Sequence, residues 1–160
     1  MGELKNSALV FEKRLAPVTR HPTPPRGEET QSTLEVAVVF TSPAATLAAV
    51  RKAGVLARPL NARISLLFPQ VVPYPAPLET PPVLLDFSEQ WIREIAEQSP
   101  VQTAVHIYLC RDAAGTLQSV LAPRSLVVIG GRKRWWPTRE QKLARKLLQS
   151  GHEVIFIETE

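Results

Sequence analysis

The sequence predicts an α/β fold built on a five-stranded parallel sheet with helices on both faces. Three observations carry this. Strand-like and helix-like segments alternate from residue 34 to residue 160. Two of the strand segments are apolar on both faces, as buried parallel strands are. Two of the helices open on recognisable caps. The count is β-α-β-α-β-α-β-α-β with short connections, which means parallel strands joined by right-handed crossovers.

The first strand, residues 34–40 (LEVAVVF), is β-branched and apolar throughout. Ser42 and Pro43 then start a helix, with Ser as N-cap and Pro at the first helical position, and the helix stops near Ala57, before Pro59. Residues 63–68 (RISLLF) form the second strand. The loop that follows, QVVPYPAPLETPP, is too rich in proline for sheet or helix. Residues 83–98 place Leu84, Leu85, Trp91, Ile92 and Ile95 on one helical stripe. Residues 103–109 alternate: Val105, Ile107 and Leu109 on one face, Ala104, His106 and Tyr108 on the other. That pattern suits an edge strand. A short helix spans roughly residues 113–121 and ends before Pro123. Residues 125–129 (SLVVI) form a buried strand closed by Gly130 and Gly131. After a basic aromatic loop, RKRWWP, Thr138 and Gln141 form a capping box for the last helix. Leu143, Ala144, Leu147 and Leu148 are its inner face, and Gly151 sits at its C-terminal stop. Residues 153–158 (EVIFIE) are the fifth strand.

Residues 1–33 read as an extension and linker outside the domain at 34–160. A short helix could place Leu4, Ala8, Phe11 and Leu15 on one side. The stretch PVTRHPTPPRGEETQS has little to bury, and each proline bars the residue before it from the helical region, so a flexible linker is expected.

Composition narrows the function classes. Hydrophobic residues make up 44% of the 160, enough for a core. No apolar stretch reaches the roughly 18 residues that span a bilayer, so no membrane partner is expected. Glu12, Lys13 and Arg14 interrupt any signal-peptide core. A single cysteine, Cys110, fits a reducing cytoplasm. Net charge is +4, and it is concentrated: residues 132–146 carry seven basic groups and one acid, while residues 34–131 carry seven of each. A local anion site or a solvated helix follows from that distribution. A general nucleic-acid surface does not.

The segments VAVVFTSPAA, LVVIGGR and VIFIE, in this order of elements, resemble the universal stress protein family over residues 34–160. The resemblance implies the strand order 3-2-1-4-5 and dimerisation through the last strand, here Val154, Ile155, Phe156 and Ile157. It also implies a place for ATP. Nucleotide-binding members carry an aspartate at the end of the first strand, and a loop of the form Gly-x2-Gly-x9-Gly-Ser/Thr after the fourth. Here Phe40 stands at the acidic position, followed by Thr41 and Ser42. Gly130, Gly131 and Arg132 are kept. Lys133, Arg134, Trp135, Trp136 and Pro137 replace the small residues, and Thr138 stands where the Ser/Thr falls.

These residues predict a non-catalytic module, a homodimer with a degraded or lost ATP motif and no cofactor, acting through a small anionic ligand or a protein partner. The alternative is a nucleotide-binding protein, or an ATP-dependent switch or hydrolase, that uses a rebuilt basic loop. Thr41, Ser42, Gly130, Gly131, Arg132, Lys133, Arg134 and Thr138 are the candidate anion-binding residues. In a 3-2-1-4-5 sheet they converge where strand order reverses, and ligands bind at such points. Trp135 and Trp136 either stack on a base or pack on the sheet end or a partner. No catalytic set is visible. His21, His106 and His152 are scattered and show no metal-ligand spacing. Cys110 beside Arg111 and Asp112 reads as an inert, half-buried thiol more readily than as an activated one. Asp86, Glu89 and Glu94 read as a solvated helix face.

Overall fold

The structure, a computed structural model, describes residues 11–18, 34–76 and 85–160. The elements run β1 (Phe11–Val18), β2 (Glu35–Val39), α1 (Pro43–Ala57), β3 (Arg63–Val71), α2 (Leu85–Glu97), β4 (Thr103–Cys110), α3 (Ala113–Val120), β5 (Leu126–Arg132), α4 (Arg139–Gln149) and β6 (Glu153–Thr159). The sheet order is β1-β4-β3-β2-β5-β6. The five expected strands are β2 to β6, all parallel and in the order 3-2-1-4-5. The two fully apolar strands, β2 and β5, are central neighbours, with Val38 opposite Val128.

One strand is additional. Residues 11–18 pair antiparallel with β4, Phe11 opposite Leu109 and Arg14 opposite His106. The helical spacing of Leu4, Ala8, Phe11 and Leu15 is therefore not realised at Phe11 and Leu15. Residues 1–10 and 19–33, with the rest of that helix and the linker, lie outside the described residues. The physical reason is direct. A helix of about three turns is marginal in water, whereas the open edge of β4 offers unpaired amides and carbonyls to any extended segment. β4 closes the parallel set as expected, and β1 covers it.

Both inner strands also run longer than their apolar stretches. β3 continues past Phe68 through Pro69 and Gln70 to Val71. Pro69 is tolerated because of which neighbour it faces. The Arg63 amide donates to Leu34 on the β2 side and the Ile64 amide to Gln102 on the β4 side, so odd residues of β3 face β2. The last bond on that side is from Phe40 to the Leu67 carbonyl. Beyond it the β2 chain turns into α1, and no partner is deprived of a donor. β5 likewise runs through both glycines to Arg132, pairing Gly130 with Ile157 and Gly131 with Glu158.

Two apolar layers sandwich the sheet. On one face Val36, Val38, Ile64, Leu66, Val105, Ile107 and Val128 meet Val50, Ala53 and Ala57 of α1 and Ile92, Ile95 and Ala96 of α2. On the other, Ala37, Val39, Leu67, Tyr108, Val127 and Ile129 meet Leu117 of α3 and Ala144 and Leu147 of α4. Trp91, expected on the buried stripe of α2, is 41% exposed, because the stripe centres on Ile92 and Ile95.

Candidate functional site

The carboxyl ends of β2 and β5 lie side by side at the reversal of strand order, with Val39 opposite Ile129. Thr41 and Gly130 meet there as the sequence suggested: Thr41 Oγ1 donates to the Gly130 carbonyl at 2.7 Å. The Thr41 amide donates to Thr46 Oγ1 at 3.0 Å, and Ser42 Oγ accepts from the Ala45 amide at 3.4 Å, so Ser42 caps α1. Gly130 and Gly131 belong to β5 and not to a loop. A Cβ on Gly130 would collide with the Ala45 carbonyl in the first turn of α1. A Cβ on Gly131 would lie 2.7 Å from Phe156 Cζ and 3.0 Å from Glu140 Cβ, in the first turn of α4. The glycine pair thus lets two helices, one on each face, sit hard against the same strand. The Gly131 carbonyl accepts from Thr159 Oγ1 at 3.3 Å.

Phe40, at the end of β2, meets Phe68 of β3 edge to face, with ring centroids 4.4 Å apart. Both rings pack on the α1–α2 side of the core. Thr138 is engaged in the expected capping box: its hydroxyl accepts from the Gln141 amide, and its amide donates to Gln141 Oε1 at 3.0 Å. Lys133 Nζ lies 3.4 Å from Glu158 across the ends of β5 and β6. Arg132, Lys133 and Arg134 are all exposed. Trp135 and Trp136 are 93% and 77% exposed, at a bend before Pro137, so they do not pack on the end of the sheet. Thr41, Ser42, Gly130 and Gly131 are therefore drawn together, while the three cations and two indoles form an outer loop.

The remaining candidates resolve as structural. Cys110 is fully buried, its Sγ 3.7 Å from the Gln70 carbonyl. Burial pushes its pKa up and the Asp112 charge adds to this, against a lowering hydrogen bond with Thr116. His152 Nδ1 accepts from the Ser125 amide at 3.1 Å and ties the turn before β6 to the start of β5. The His106 ring stacks on Tyr108 at 6.3 Å. No group of three metal-ligating side chains occurs among the described residues. One arrangement has no signal in the sequence. Arg111 donates to the Val72 and Ala76 carbonyls, each at 2.8 Å, and lies 4.0 Å over the Tyr74 ring, pinning the loop after β3.

A parallel 3-2-1-4-5 sheet with helices on both faces, and a switch point between its first and fourth strands, is the fold of the universal stress proteins. Among solved structures, the chain is similar to a protein of that family from Burkholderia pseudomallei, 20% identical with a TM-score of 0.56 over 82% of this chain and 100% of that one. It is similar to the universal stress protein of Archaeoglobus fulgidus, 16% identical with a TM-score of 0.54 over 79% and 98%. It is also similar to a universal stress protein in complex with cAMP, 16% identical with a TM-score of 0.52 over 81% and 100%. The chain matches no protein-family model and no curated protein.

Proposed function

We propose that this chain is a non-catalytic, dimeric universal stress protein-like module that has lost family-style ATP binding and acts by binding a small anionic ligand or a partner protein. One observation carries the reading. By the resemblance Phe40 stands at the position of the family's acid, and its ring lies edge to face against Phe68 with centroids 4.4 Å apart. An adenosine there would lose its acidic partner and meet a packed aromatic pair. The surroundings support the same reading: α1 packs on Gly130, and the hydroxyls of Thr41 and Thr138 are already hydrogen-bonded within the chain. The domain is taken as residues 34–160, with residues 1–33 as an appended segment whose residues 11–18 add an edge strand to its sheet, and the cytoplasm as its compartment. No helix among the described residues is long and apolar enough to cross a membrane.

The second reading, a nucleotide binder with a rebuilt loop, draws on the neighbour solved with cAMP and on the exposed cations Arg132, Lys133 and Arg134. Titration calorimetry with ATP and with cAMP separates the two. The proposal expects no saturable heat at micromolar nucleotide, and a micromolar dissociation constant for either ligand establishes the second reading.

A further inference from the structure

We propose that the β5–α4 loop and the outer face of α4 form a docking surface for an anionic phospholipid bilayer, bound peripherally and without insertion of a helix. Two independent observations meet here. The first is apolar. Trp135 and Trp136 project at a bend, 93% and 77% exposed, and Trp135 is the most exposed large apolar side chain among the described residues. Two adjacent indoles held in water form a contiguous apolar patch, the kind of surface that marks an interaction site, and the amphipathic indole suits the boundary between headgroup and acyl chain. Pro137 biases Trp136 away from helical backbone, so α4 does not extend back through the indoles.

The second observation is electrostatic. Arg132, Lys133 and Arg134 precede the indoles, and Arg139, Lys142, Arg145 and Lys146 follow on α4. All seven are exposed. Ala144 and Leu147 turn the opposite side of α4 onto the sheet, and residues three and four apart share a helix face. The four α4 cations therefore make one outward stripe running on from the loop. Glu140 does not interrupt it, since its side chain lies inward against Gly131. Glu158 lies 3.4 Å from Lys133, a cation of the loop. A row of cations beside a pair of indoles is complementary to an anionic headgroup layer, which attracts basic segments and admits aromatic tips.

A single-stranded nucleic acid would use the same cations and could stack on the indoles, but base-stacking sites lie along a groove that tracks the backbone. With 93% of its surface in water, Trp135 has no wall against which a base could be held. A fluid lipid layer needs no wall. Nor does a free phosphate need two indoles. No helix among the described residues is long and apolar enough to cross a membrane, which leaves a surface contact as the mode of binding.

The test is co-sedimentation of the full chain with vesicles of phosphatidylcholine alone and of phosphatidylcholine with phosphatidylserine, followed by tryptophan emission. The expected result is partition onto the serine-lipid vesicles about tenfold or more above the neutral ones, with a blue shift, and weakening as salt rises. Trp135→Ala/Trp136→Ala should lose most of this binding while its unfolding curve stays that of wild type, because neither indole is packed. Trp91 remains as an internal fluorophore. Lys142→Ala/Arg145→Ala/Lys146→Ala should lower binding to anionic vesicles only. Absence of binding, equal binding to both vesicles, or full binding by the double tryptophan variant overturns the proposal. So does an emission change that a single-stranded oligonucleotide or inorganic phosphate reproduces while vesicles do not. None of these outcomes bears on the ATP titration, so the two proposals fail separately.

Discussion

Thr41 Oγ1 donates to the Gly130 carbonyl at 2.7 Å, tying the ends of β2 and β5 together across the gap at which strand order reverses. In an open α/β sheet this gap is where ligands enter. Here a side chain from the end of β2 bonds the backbone of β5 at that place, and the first turn of α1 lies on the same glycine. Thr41→Val should therefore cost about 1–2 kcal/mol by leaving that carbonyl without its donor. Gly130→Ala should cost more, about 3 kcal/mol, because the obstacle is the backbone of Ala45. Gly131→Ala should cost about 1 kcal/mol, since a ring edge and a glutamate side chain can give way. Urea unfolding checks the order. A Gly131→Ala loss larger than that of Gly130→Ala contradicts this account of the pair.

Phe40 and Phe68 should act as a unit. Phe40→Ala should destabilise by about 2 kcal/mol, below the value for a fully buried ring because Phe40 is only half-buried. Phe68→Ala in the Phe40→Ala background should cost less than in wild type, by about 1 kcal/mol, the worth of an edge-to-face contact. Additive losses would mean that the rings stabilise the core separately.

Cys110 should be silent in the native protein. Burial penalises its thiolate first and the Asp112 charge adds to that, so the folded pKa is raised. Iodoacetamide should modify it at neutral pH only after unfolding. The raised value also carries a sign for stability. Below the unfolded thiol's pKa, about 8.5, both states are neutral and the group adds no pH dependence. As pH rises from there toward the folded pKa, the unfolded state releases its proton first and stability falls. Cys110→Ala should remove this alkaline component. Rapid alkylation of the folded protein at pH 7 would overturn the prediction.

β6 is the outer strand at one end of the sheet, and Val154, Ile155, Phe156 and Ile157 on it are all half-buried. Apolar edges of this kind pair or aggregate unless covered. Under the dimer proposal, sedimentation should give twice the chain mass for wild type and the chain mass for Ile155→Lys or Ile157→Lys. A wild-type monomer at high concentration removes β6 as an interface.

The sequence by itself determined the parallel sheet and most of its boundaries. Two-sided apolar patterning in residues 34–40 and 125–129 fits only buried central strands, and the caps at Ser42 and Thr138 depend on groups three residues away. Such local rules are readable in one dimension. The resemblance supplied the strand order and the meeting of Thr41 with Gly130. Tertiary structure alone decided the rest. Residues 11–18 carry a weak helical pattern, and the free edge of β4, distant in sequence, makes them a strand. Gly130 and Gly131 look like a phosphate loop until α1 and α4 are seen packed on either side of them. Arg111 reads as a neighbour of Cys110, yet its partners are Val72, Tyr74 and Ala76, more than thirty residues earlier. In each case the deciding neighbour comes from another element, and only folding brings it within reach.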